Sequence, residues 1–147
     1  MDKMKILYDI EEIKQLKARY IRFGDTKNWD EQAKIFTEDF VAIFDIAPRF
    51  SKDQSGYVEI SGRDNFIEAW KPVLVGVTTM HQVFLPEITI TSPTTATGIW
   101  AFNDDVRLPQ CHFKGWGHYH DHYLKEDGVW KIKSSRATRI HTEEVWY

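Results

Sequence analysis

The chain has 147 residues, 42% of them hydrophobic, which suits one domain, 1–147, built around a single core. A formal net charge of −3 excludes the basic footprint of a nucleic-acid binder, and no run nears the roughly 18 apolar residues of a membrane span. A single cysteine, Cys111, excludes an intrachain disulfide.

The first residues, Met-Asp-Lys-Met-Lys, lead into an amphipathic pattern and not into the apolar centre of a signal peptide, so a cytoplasmic protein is expected. Asp9 and Glu12 form a capping box. Ile10, Ile13, Leu16, Lys17 and Tyr20 follow at helical spacing, and Gly24 reads as the left-handed stop. A short second helix is predicted over 29–36 and a strand over 40–45. Residues 46–56 are polar and irregular, the pattern of a mobile flap or loop. Ser61 reads as the cap of a third helix carrying Phe66, Ala69, Trp70 and Val73 on one face, with Pro72 at its end.

Strands then follow over 80–85, 87–91, 95–106, 112–125 and 129–141, the last two joined through Glu126-Asp127-Gly128 as a hairpin. Helices followed by long antiparallel strands predict an α+β fold, with helices closing the concave side of a curled sheet over a pocket. Aromatics at 14% of the chain suit a lined cavity.

Five polar residues stand in or beside these apolar patterns. Tyr20 lies on the apolar face of the first helix, as a core tyrosine or with its hydroxyl at a pocket rim. Asp25 follows Gly24, as a turn residue or turned toward the same opening. His81 lies in an otherwise apolar strand, and its ordinary pKa near 6.5 suits proton transfer at neutral pH. Trp100, Phe102 and Asp104 share one strand face, so Asp104 is expected to hold His81 in one tautomer, as a general base and its orienting partner. Arg139, near the end of the last strand, is either exposed or turned inward to hold Asp25 ionised or bind an anionic group.

His118, His120 and His122 alternate along one strand face, with neighbours about 7 Å apart. A His-x-His pair can hold a metal, but the carboxylate it would want is not located by the sequence. A solvent-side or subunit-interface stripe is the preferred reading, and no metal site is expected. Gly117, Tyr119, Asp121 and Tyr123 occupy the opposite face. No nucleophile signature, phosphate-cradling glycine loop or dinucleotide fingerprint is present.

Three stretches carry a family resemblance over about residues 9–143. DIEEIKQLKARYIRFGDTKNWDEQ (9–32) holds Tyr20, Asp25 and Trp29 in a Tyr-x4-Asp-x3-Trp pattern. MHQVFLPEITITSPTTATGIWAFND (80–104) runs from His81 to Asp104, and GWGHYHDHYLKEDGVWKIKSSRATRI (115–140) contains Arg139. Together they resemble the SnoaL-like branch of the nuclear-transport-factor-2-like superfamily, within it the bile-acid dehydratases and scytalone dehydratase. Segments 46–56 and 105–114 depart from the bile-acid enzymes.

The resemblance implies a cone-shaped α+β barrel whose N-terminal helices close a deep pocket. It implies Tyr20, Asp25, His81, Asp104 and Arg139 as catalytic residues, with Trp29, Phe44, Phe102 and Tyr119 against the substrate. Gly117, Tyr119 and Asp121 would face the pocket and the histidines outward. No metal and no cofactor is implied; the partner is a small-molecule substrate, with no nucleic acid and no membrane, and the assembly a homo-oligomer, a trimer in preference to a dimer. The implied activity is dehydration of a hydroxy-carbonyl compound of steroid, terpenoid or polyketide type. Isomerisation or cyclisation with the same base, and non-catalytic binding of a small molecule, are the alternatives.

Overall fold

The computed structural model describes residues 2–147. The first helix, α1 (Lys3–Asp25), starts about two turns before the predicted capping box, because the Asp2 carboxylate caps it by accepting from the Met4 amide. Asp9 is thereby left inside the helix and buried, and it does other work. Its Oδ1 accepts from the Trp130 indole and the Lys125 ammonium, both at 3.0 Å, joining α1 to the last hairpin.

Burial alone would raise the Asp9 pKa, but the bonds from Trp130 and Lys125 outweigh it and hold the carboxyl below its ordinary value. A depressed carboxylate stabilises the fold above its unfolded pKa, near 3.9, and that contribution is lost as pH falls through the folded value. Asp9→Asn is therefore expected to cost about 1–3 kcal/mol at neutral pH. It should also flatten the acid side of the stability curve below about pH 4, measured by urea unfolding across pH.

Gly24 is not the stop. The helix runs on to Asp25, and the left-handed residue is Lys27, at φ 57°. Asp25 is therefore the last helical residue, and from there its carboxylate reaches His81 on the sheet. The second helix, α2 (Trp29–Ala33), is shorter than predicted because Phe36 already belongs to β1 (Phe36–Phe44). A short strand, β2 (Val58–Ser61), lies where no strand is predicted. Four residues with two half-exposed side chains carry too little alternation to read from sequence.

Helix α3 (Arg63–Val73) follows, and Gly62, not Ser61, takes its N-cap position, with Pro72 in the last turn. Three strands come next: β3 (Thr78–Ser92), β4 (Thr95–Arg107) and β5 (Cys111–Glu126). The last strand, β6 (Val129–Trp146), runs five residues beyond its predicted end. The two strands predicted either side of Pro86 are one. Pro86 sits at a register shift on the sheet's edge strand, where a missing backbone donor is tolerated. Asp127 and Gly128, both at positive φ, make the two-residue turn between β5 and β6.

The six strands form one sheet in the order β2-β1-β6-β5-β4-β3, antiparallel throughout except where β1 runs parallel to β6. The sheet is curved, and with the N-terminal helices it makes the mixed α+β cone of the nuclear-transport-factor-2-like fold. Ile13 and Leu16 of α1, Phe36 and Phe40 of β1, Phe66 of α3 and Ile132 of β6 fill the base of the cone. Phe36 and Phe40 stack at 4.0 Å, and Phe66 meets both edge-on. Among the described residues, no helix is long and apolar enough to cross a membrane.

Candidate active site

The cone opens on a cavity of about 100 Å³. Its wall is mainly apolar, with eight Phe, Tyr and Trp side chains among the lining residues. Trp29, Phe44, Phe102 and Tyr119, expected against the substrate, all line it, as do Tyr20, His81, Asp104 and Arg139. Asp25 stands directly behind His81. The five scattered polar residues thus meet at one wall, but their pairing differs from the sequence expectation.

His81 is held by Asp25, not by Asp104. Asp25 Oδ1 lies 2.6 Å from His81 Nδ1, while Oδ2 accepts from the His81 backbone amide at 2.8 Å. The Thr79 hydroxyl donates to Oδ1 as well, at 2.9 Å. One carboxylate therefore grips both the ring and the backbone of the same histidine. An ionised carboxylate only accepts, so Nδ1 carries the proton and the lone pair is left on Nε2.

Asp104 is the residue opposite His81 in the β3–β4 register, which is why sequence reasoning joined them. Its carboxylate is already occupied. Arg139 donates to Oδ1 at 2.6 Å and to Oδ2 at 3.0 Å, a two-pronged ion pair with both side chains almost fully buried. Arg139 thus holds Asp104 and not Asp25, and its Nε donates to the Ile46 carbonyl at 3.0 Å. The guanidinium also lies 5.0 Å from the Phe102 ring centre.

Gly115, opposite Asp104 on β5, makes room for this pair. A Cβ there would fall on the Arg139 guanidinium and within 2.6 Å of Asp104 Oδ1. That glycine is the sequence signal for the pair, a gap in an otherwise bulky strand, and it points to a buried neighbour only once the register is known.

Tyr20 is buried beside Tyr119, the rings meeting edge-on at 5.8 Å. Burial, followed by the negative charges of Asp121, Asp25 and Asp104, pushes the Tyr20 phenol well above its ordinary pKa. It stays protonated at neutral pH and is a donor there. Tyr119 is raised in the same way, first by burial, and stacks on Phe102 at 3.9 Å.

Two inward-facing expectations need correction. Gly117 is buried but packs against the Thr138 carbonyl at a bulge and does not line the cavity. Asp121 is buried too, but it lies behind the pocket wall against Lys17, with Oδ2 and Nζ 2.8 Å apart. The histidine stripe faces the other way. His120 and His122 are exposed and His118 half-buried, and no group of three or more His, Cys, Asp or Glu among the described residues is placed to hold a metal ion.

Several cavity residues were not singled out as site residues from the sequence. Gln32 of α2, Phe66, Trp70 and Leu74 around α3, and Thr79 of β3 all contribute to the wall. Phe66 and Trp70 were legible as one apolar helix face, but nothing in the sequence says that this face closes a cavity. Ala47, Pro48 and Phe50 bring the irregular segment 46–56 to the same wall.

An α+β cone around a pocket, with a carboxylate-held imidazole and a buried phenol at one wall, is the arrangement this chain presents. This chain belongs to the SnoaL-like domain family, whose model matches residues 5–136. It is 25% identical over 135 residues to a probable cyclase, FGR4, of Gibberella zeae, covering 88% of this chain and 89% of that one.

Solved structures that share the fold include two enzymes by name. A scytalone dehydratase candidate from Novosphingobium aromaticivorans has a TM-score of 0.79 at 22% identity, covering 99% of this chain and 93% of its own. The hexachlorocyclohexane dehydrochlorinase LinA-type3 of Novosphingobium barchaimii also scores 0.79, at 14% identity, covering 98% and 94%.

Proposed function

We propose that the protein is a cofactor-independent lyase that removes water from a hydroxy-carbonyl small molecule. The observation that carries this reading is the Asp25–His81 pair, which leaves the Nε2 lone pair at the wall of an apolar pocket beside a protonated Tyr20. His81 Nε2 takes the proton from the carbon next to the carbonyl. The electron pair left behind forms the enolate, whose oxygen accepts a hydrogen bond from Tyr20, and donors fixed in a dry site are worth most where charge develops. Collapse of the enolate breaks the C–O bond of the β or vinylogous hydroxyl. The imidazolium returns its proton to the departing hydroxide, so water is the co-product and His81 is ready again.

Asp25 acts on the base and not on the substrate. It fixes the tautomer and stabilises the imidazolium as it forms. The Asp104–Arg139 pair keeps its two charges neutralised against the pocket, so the wall stays rigid and the field at His81 stays small. A cavity lined by apolar and aromatic side chains suits an apolar, ring-bearing substrate of steroid, terpenoid or polyketide type.

A second reading has a specific observation in its favour. The resemblance to a probable cyclase supports a reaction in which the same enolate attacks or is reprotonated elsewhere, without expelling hydroxide. Mass spectrometry of products separates the two. Dehydration predicts a loss of one water, whereas conversion at unchanged mass would favour cyclisation or isomerisation. Exposed Met80, Ile99 and Trp116 on the outer sheet face support assembly as a homo-oligomer, which light scattering would measure.

A further inference from the structure

Lys17 is a buried charged side chain whose placement the proposed chemistry leaves unexplained. It lies on the apolar face of α1, between Ile13 and Tyr20 at helical spacing, and its side chain has no exposure at all. Its ammonium touches Asp121 Oδ2 at 2.8 Å, and that carboxylate is equally buried. Asp121 is anchored in turn by the Tyr123 hydroxyl at 2.8 Å, which accepts from the Trp100 indole at 2.9 Å. The other neighbours of the ammonium are π faces. Nζ lies 3.7 Å from the centre of the Tyr119 ring and 4.3 Å from that of Tyr20.

A buried ion pair is poor value for stability alone, because apolar side chains of the same size commonly pack as well or better. The Lys17–Asp121 contact is also short of hydrogen bonds. Among the described residues, neither Nζ nor Asp121 Oδ1 has a well-directed partner. A purely structural role therefore explains the pair badly. Its position explains it better, since a cation on the face of a phenol draws electron density from the ring and makes the O–H a stronger donor. Asp121, Asp25 and Asp104 all act on Tyr20 in the opposite sense, and Lys17 is the cation in contact with its ring.

We infer that Lys17 is a positioning residue, which acts through Tyr20 to strengthen its hydrogen bond to the enolate oxygen. This rests on the dehydratase reading, in which Tyr20 meets that oxygen. The pocket-facing phenol touches substrate; Lys17 stays behind the wall and never does.

The test uses 2-naphthol, a planar enol whose oxygen can take the place of the enolate oxygen, and measures its affinity by titration calorimetry. Lys17→Met is expected to weaken binding about tenfold in the wild-type background. In a Tyr20→Phe background the same change should cost less than about twofold, because the hydroxyl it acts on is gone. Lys17→Met combined with Asp121→Asn, which keeps an acceptor for Tyr123, should melt at or above the wild-type temperature and regain part of the affinity lost in Lys17→Met, because the carboxylate that opposes the Tyr20 donor is neutralised too.

Equal losses with and without the Tyr20 hydroxyl, or no recovery of affinity in the charge-free double variant, would overturn the role of Lys17. If Tyr20→Phe alone left 2-naphthol binding unchanged, the dehydratase reading of Tyr20 would fall first and the role of Lys17 with it. A loss for Tyr20→Phe without one for Lys17→Met would overturn only the latter.

Discussion

Replacing His81 by alanine is expected to reduce turnover of a cognate hydroxy-carbonyl substrate by about 10²–10⁴-fold, the usual contribution of a general base. Asp25→Asn should come close to the same loss by a different route. Asparagine keeps the size of the side chain and can still accept from Thr79 or from the His81 amide. It can also present an N–H to the ring, which would favour the tautomer with its proton on Nε2 and its lone pair turned away from substrate.

The two single losses should not add. Once His81 is gone, Asp25 has no ring to orient, so the double variant should lose little more than His81→Ala. Steady-state kinetics on the four proteins checks this. Full activity in His81→Ala would remove the base from the mechanism, and independent losses would separate Asp25 from it.

A large stability effect is expected at Arg139. Arg139→Met leaves the Asp104 carboxylate buried at 4% side-chain exposure without its partner. Breaking a buried pair in this way costs about 3–5 kcal/mol, more than the pair itself contributes. The change also removes the bond from Arg139 Nε to the Ile46 carbonyl, so the segment after β1 should loosen at the pocket mouth.

Arg139→Lys should recover only part of the loss, since an ammonium cannot make the two-pronged contact. Adding Asp104→Asn to Arg139→Met should recover more, because it removes the stranded charge. Urea unfolding gives the energies, and hydrogen exchange at residues 46–56 gives the local effect. A loss below about 0.5 kcal/mol for Arg139→Met, the size of an ordinary surface change, would mean that the pair is not buried in solution.

Much of the fold was legible because it follows from period. The 3.6-residue spacing of Ile13, Leu16 and Tyr20 and the alternation along β4 and β5 each describe one element facing one core. Errors fell where a residue served something distant. Asp9 looked like a helix cap because Asp-x-x-Glu is the local pattern of one, but Trp130 and Lys125 claim it across the molecule. Gly24 looked like a stop because glycine usually is one, while the turn after Asp25 is made at Lys27 instead.

The site divides in the same way. Composition and spacing were enough to pick out Tyr20, Asp25, His81, Asp104 and Arg139 as polar groups in or beside apolar surroundings. That is a property of the chain, since such residues are costly wherever they are buried. Who holds whom is not a property of the chain. His81 and Asp104 are opposite in the β3–β4 register, yet β6 brings Arg139 to Asp104 and the last turn of α1 brings Asp25 to His81.

The Lys17–Asp121 pair was hidden for the same reason. Each charge interrupts an apolar face of its own element, and only the packing of α1 against the sheet sets them 2.8 Å apart. Hydrophobic period and residue chemistry act over a few residues and can be read along one strand or one turn. Ion pairing is decided by distances of a few ångströms between elements far apart in sequence, and those distances exist only in the folded chain.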